Sequence, residues 1–65
     1  MTKAEAIAAM QQGKKVTFKY FTGNEWMTIN KNGHFEMEDG AACEQHIFWA
    51  YRTDPSWDEG WEIYE

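Results

Sequence analysis

Apolar and polar positions alternate with a period of two in several short runs along this chain, and follow a helical period most clearly near its start. The clearest pair of alternating runs lies between Glu25 and Glu38 and meets at Asn32-Gly33. Trp26, Thr28 and Asn30 share one face of the first run and Met27 and Ile29 the other, while Phe35 and Met37 share a face of the second. Asn-Gly between such runs predicts a hairpin with a type I′ turn, since both central residues of that turn need positive φ.

Before this hairpin, Thr2-Lys3-Ala4-Glu5 matches a capping box, Ala6, Ile7 and Met10 form a narrow apolar stripe, and Gly13 sits where a C-terminal cap belongs. A helix is predicted from Lys3 to Gln12, too short to persist unless it lies against a sheet. From Lys14 to Phe21 the pattern alternates again, with Val16, Phe18 and Tyr20 on one face and Lys15, Thr17, Lys19 and Phe21 on the other. This strand turns at Thr22-Gly23-Asn24 into Glu25 to Ile29, and the third strand, His34 to Glu38, ends at Asp39-Gly40.

The stretch from Ala41 to Arg52 carries two signals: Ala41 to Gln45 suits a helical turn, whereas Ile47, Trp49 and Tyr51 alternate with Phe48 and Ala50. The alternation favours a strand from Ile47 to Tyr51. Asp54-Pro55 then starts a single helical turn containing Trp57, closed by Gly60, and Trp61 to Tyr64 alternates as a last strand. The pattern therefore predicts an α+β fold in one domain, residues 1–65, with an N-terminal helix packed on an antiparallel β-meander of three to five strands.

Size changes this picture in one respect. A chain of about 60 residues buries only about 60% of its unfolded surface, and Cys43 as the single cysteine provides no disulfide framework. A homo-oligomer is the expected remedy. Eleven of the 65 residues are aromatic, four of them tryptophan, more rings than so small a core encloses, so several are expected at the surface, where they mark interfaces or stacking sites. The apolar run Ala4 to Met10 is too short to cross a bilayer, and a cytoplasmic protein with no membrane partner is expected.

Charge is divided unevenly. Residues 1–31 carry five lysines against Glu5 and Glu25, and residues 32–65 carry Arg52 alone against nine acids, for a net −5. The acidic balance argues against direct nucleic-acid binding. No catalytic, metal, cofactor or phosphate-loop signature is present. Cys43, Glu44, His46 and the distant His34 have the residue types of a zinc site without its repeated short spacings, and Cys43 with His46 lacks the orienting partner that a nucleophile and base require. A binding protein rather than an enzyme is expected.

The form Glu5-Ala6-Ile7 followed by Gly13-Lys14-Lys15-Val16, the pair near Glu25-Trp26-Met27, and the closing Trp57 to Trp61-Glu62-Ile63 resemble small phage proteins of the Thoeris anti-defence type. The resemblance implies a short α+β chain that assembles as a homo-oligomer and sequesters a cyclic nucleotide-type immune signal in the host cytoplasm. It covers the two ends of the chain and leaves Asp39 to Arg52 unmatched.

Two functional readings follow. In the first, a small anionic nucleotide is held by Lys15, Lys19 and Arg52 at its phosphate and by Phe21, Trp26 or Trp49 at its base. In the second, the chain is an acidic inhibitor that mimics nucleic acid and covers a basic groove of a host defence protein such as a CRISPR nuclease. Glu36, Glu38, Asp39, Asp54, Asp58 and Glu59 would then carry the effect with Trp57 as anchor.

Overall fold

The computed structural model describes all of residues 1–65. Helix α1 (Lys3–Gln11) is followed by strands β1 (Val16–Phe18), β2 (Met27–Ile29), β3 (Phe35–Met37) and β4 (Ala42–Cys43), helix α2 (Gln45–Ala50), a 3₁₀ turn (Pro55–Asp58) and strand β5 (Trp61–Ile63). The strands form one antiparallel sheet in the order β4-β3-β2-β1-β5. The chain thus runs as a four-strand meander, and the last strand returns to the far side of the first.

The capping box at the start of α1 is present in both directions: the Glu5 amide donates to Thr2 Oγ1 and the Thr2 amide to the Glu5 carboxylate. At the other end the Gly13 amide donates to the Met10 carbonyl and the Lys14 amide to that of Ala9, the paired bonds of a Schellman motif. Ala6 and Met10 face the sheet and are buried.

The two turns of the meander share one geometry. In the first, Gly33 donates to the Asn30 carbonyl and Asn30 to that of His34; in the second, Gly40 donates to Met37 and Met37 to Ala41. Only the glycines have positive φ, 81° at Gly33 and 87° at Gly40. These are three-residue loops in which a type I turn is closed by a left-handed glycine. The expectation of a type I′ turn at Asn32-Gly33 is corrected: Asn32 keeps negative φ, because the Asn30 side chain accepts from the Asn32 and His34 amides and holds the turn one residue longer.

Two further expectations are corrected. Strand β1 is three residues long and bends after Phe18, where the Phe21 amide turns back onto the Phe18 carbonyl. The bend leaves Tyr20 69% exposed and brings Phe21 to the edge of the core, the reverse of their alternation. The predicted strand from Ile47 to Tyr51 is helix α2, and the strand of this region is Ala42–Cys43, which the Asp39-Gly40 turn delivers onto β3 in register with Phe35 and Glu36. Gln45, Phe48 and Trp49 are the residues that α2 turns inward, with Arg52 just beyond its end continuing the spacing, while Ile47 and the C-cap Tyr51 face outward.

Both helices lie on the same face of the sheet. Eight residues are buried there, all apolar: Ala6, Met10, Val16, Phe18, Met27, Phe35, Phe48 and Trp61. Trp61 donates its indole N–H to the Trp57 carbonyl at 2.8 Å, so its one polar atom is satisfied inside the core. The opposite face carries Thr17, Thr28, Asn30 and Glu36 and is half-exposed, as in many antiparallel sheets. The outer edge of β5 is covered where Trp61 exchanges backbone hydrogen bonds with Met1, and β4 is only two residues long, so neither edge offers a long unpaired strand. No helix is long and apolar enough to cross a membrane.

Candidate functional site

The bend after β1, the β3–β4 turn and the end of α2 meet at an open cleft of about 240 Å³. Phe21 reaches it from the bend and Trp26 from the approach to β2, so that two aromatic side chains form part of its wall. Met37 and Phe48 supply further apolar lining, and Phe48 is buried beneath it against Phe35, with ring centroids 5.1 Å apart. Arg52 enters from the end of α2, and Glu25, Glu38 and Asp39 line the remainder.

Arg52 is held firmly. Its Nη1 donates to the Phe48 carbonyl at 2.9 Å, and the guanidinium lies 4.0 Å from the Phe48 ring centre and 5.3 Å from that of Trp57. A guanidinium has five N–H donors, so donors remain for a ligand. The carboxylates are anchored to backbone amides: Glu25 accepts from Thr22, Glu38 from Trp26 at 3.4 Å and Asp39 from Ala41 at 2.9 Å.

The cleft gathers residues from both predicted sets. Phe21, Trp26 and Arg52 come together from distant segments, and Glu38 and Asp39, expected on a protein-binding surface, line the same space. Lys15 stands outside it but beside its wall, with Nζ 4.3 Å from the centre of the Trp26 ring. Lys19 lies elsewhere, with its stem across Gly60 and its ammonium 5.2 Å from the Tyr20 ring centre. Trp49 is packed between Phe35, Phe48 and Trp61 under the Lys3 ammonium, away from the cleft.

The remaining acidic positions are dispersed. Glu36 lies on the open sheet face and accepts from Asn30 Nδ2, Asp54 caps the 3₁₀ turn through the Ser56 amide, and Asp58 and Glu59 are exposed beyond it. Trp57 stacks on Phe18 with centroids 4.3 Å apart and planes 12° from parallel, so much of its ring already has a partner within the chain. Cys43 is half-buried on β4 whereas the His46 side chain is 78% exposed on α2, beside Glu44 at 3.9 Å.

Four of the six lysine and arginine side chains of this chain sit over rings, and none lies beside an acid. Lys3, Lys15, Lys19 and Arg52 each lie within 6 Å of an aromatic centre, and the one basic side chain within 4.0 Å of a carboxylate is His46, beside Glu44. The sequence reading missed Phe48, Met37 and Glu25 as parts of the cleft. The helical spacing of Gln45, Phe48, Trp49 and Arg52 was the available signal for Phe48. Compared with known protein families, with characterised proteins and with solved structures, the chain matches none.

Proposed function

We propose that this chain is a non-enzymatic binding protein that sequesters a small anionic, cyclic nucleotide-type signal, as a phage anti-defence sponge of the kind its two ends resemble. The observation that carries the reading is the convergence of Phe21, Trp26 and Arg52 on one cleft. Rings offer a base its stacking partner, and a guanidinium fork matches phosphate oxygens. Lys15 beside the Trp26 wall adds a second positive charge at the rim. A homo-oligomer belongs to the proposal: at about 240 Å³ the cleft is smaller than the roughly 300 Å³ at which pockets for drug-sized ligands begin, and a second copy closing over it would enclose a larger ligand.

The test is a thermal-shift screen against cyclic dinucleotides, cyclic ADP-ribose isomers and plain nucleotides, with light scattering for mass. Ligand at a hundred times its Kd adds about 2.7 kcal/mol to the folded state, or about 10–20 °C for a domain of this size. A selective shift on an oligomer supports the reading, and a flat screen on folded protein rejects it for those signals.

A second reading is favoured by the carboxylates that no lysine or arginine pairs. In it the acidic surface covers a basic groove on a host defence protein. Charge reversal at Lys15, beside the Trp26 wall, weakens function under the first reading and is mild under the second, and neutralising Asp58 and Glu59 does the opposite.

A further inference from the structure

We infer that the open face of the sheet is where a second copy of this chain docks, about a two-fold axis running along β2. The inference rests on the oligomer in the reading above and names its surface. Strand β2 is the middle strand of five, and the register sets one row of side chains across the sheet. Glu36 pairs with Thr28 on one side and with Ala42 on the other. The Val16 to Met27 pairing puts Lys15 beside Thr28, and the Tyr64 amide donates to the Lys15 carbonyl at 2.9 Å. The row therefore reads Tyr64, Lys15, Thr28, Glu36, Ala42, all outside the buried core.

This row is complementary to itself. A two-fold axis through Thr28, parallel to the strands, carries β1 of one copy over β3 of the other and β5 over β4. Lys15 then meets Glu36 twice, and the large Tyr64 meets the small Ala42 twice. Sheets packed face to face stand about 10 Å apart with strands within about 30° of each other, a gap that a lysine and a glutamate span together. Both charges are free to do so: Lys15 Nζ lies over the Trp26 ring with no carboxylate within 4.0 Å, and the Glu36 carboxylate takes one hydrogen bond, from Asn30 Nδ2.

The face can be covered without stranding its hydroxyl groups. Thr28 donates to the Lys14 carbonyl at 2.7 Å and Thr17 to that of Glu25 at 2.9 Å, so neither loses a hydrogen bond when water leaves. Trp26 and Tyr64 add aromatic area, with ring centres 6.4 Å apart. Each strand is only two or three residues long, which makes the face smaller than the roughly 800 Å² per partner of a standard interface and the expected Kd micromolar. Trp26 stands beside the axis and also lines the cleft, so each copy brings its Trp26 to the wall of the other's cleft.

The experiment is sedimentation equilibrium of the full chain from micromolar to millimolar concentration, with folding checked by circular dichroism. The parent is expected to dimerise. Lys15→Glu and Glu36→Lys each set like charges across the axis and should weaken self-association at least tenfold. Mixed in equal amounts, the two variants should form a heterodimer, because each Lys15 to Glu36 contact again joins opposite charges; the double variant Lys15→Glu, Glu36→Lys should dimerise like the parent and serves if a single variant fails to fold. A dimer indifferent to the single variants uses another face, and variants that stay apart when mixed do not meet by this axis. Either result overturns the inference and leaves the oligomer of the nucleotide reading standing. A parent that stays monomeric overturns the inference and removes the oligomer from that reading, whose ligand the thermal-shift screen tests separately.

Discussion

Replacing Arg52 tests the structural role that its contacts with Phe48 imply. Its guanidinium donates to the Phe48 carbonyl at 2.9 Å and lies 4.0 Å from the Phe48 ring centre. A hydrogen bond from a charged donor contributes about 1.5–3 kcal/mol and a cation–ring contact about 0.5–2 kcal/mol. The two share one desolvation cost, and Arg52 is only half-buried, so Arg52→Ala should lose about 1.5–2.5 kcal/mol. A domain of this size loses about 4–8 °C in Tm per kcal/mol, which puts the variant about 10 °C below the parent. Arg52→Lys retains the charge without the planar stack and should fall between the two. Thermal unfolding followed by circular dichroism, repeated at low and high salt, measures this. Because no carboxylate lies within 4.0 Å of the guanidinium, most of the loss should persist in salt, which screens only the added self-repulsion of a more negative chain. A variant melting within 2 °C of the parent refutes the clamp, and a loss that disappears in salt shows that Arg52 acts as a charge instead.

Three other outcomes follow from the same geometry. The Glu5 carboxyl is held below its ordinary value, first by the Thr2 backbone amide and then by the Thr2 hydroxyl; a depressed folded-state pKa gives stability that is present above the unfolded value of about 4.3 and lost as pH falls below it. Glu5→Gln should therefore be less stable than the parent at pH 7 and equal to it at pH 2, as denaturant titrations at the two values would read. Trp61→Phe loses the indole donor to the Trp57 carbonyl and part of a fully buried ring, for a cost of about 1–3 kcal/mol in urea unfolding. Added sodium chloride should raise Tm modestly, since it screens the self-repulsion of a net −5 chain that has no lysine or arginine ion pair to weaken; a fall would point to ion pairs formed in solution.

How much of this fold the sequence disclosed depends on whether the signal was local. The capping box at Thr2, the glycine after α1 and the Gly-ended turns act over five residues or fewer, and the helix and the first three strands stand where they were placed, apart from their ends. The region from Ala41 to Tyr51 was misread because apolar residues at five consecutive positions satisfy a period of two and a helical period alike. What decides between them is tertiary: β3 takes Ala42 and Cys43 as its edge partner, and Phe48 then fits against Phe35 only from a helix. Likewise Phe21 was placed on the face opposite Phe18 by counting along a strand that in fact bends three residues earlier.

The candidate site was legible in its members but not in their grouping. Trp26 and Arg52 were singled out for ring and charge, yet nothing in sequence separation shows that the end of α2 faces the approach to β2. The cleft mixes residues of the two sets that the sequence offered for two alternative readings, and the way its cations are placed has a physical reason. A surface ion pair in water is worth about 0–1 kcal/mol, whereas a lysine stem lying on an aromatic ring also covers apolar area. In a chain with more rings than its core can enclose, four of the six lysine and arginine side chains settle on rings, among them Lys3 on Trp49, Lys15 on Trp26 and Arg52 on Phe48. The same choice leaves the carboxylates unneutralised, and at the β3–β4 turn it leaves two of them lining a cleft with an aromatic wall.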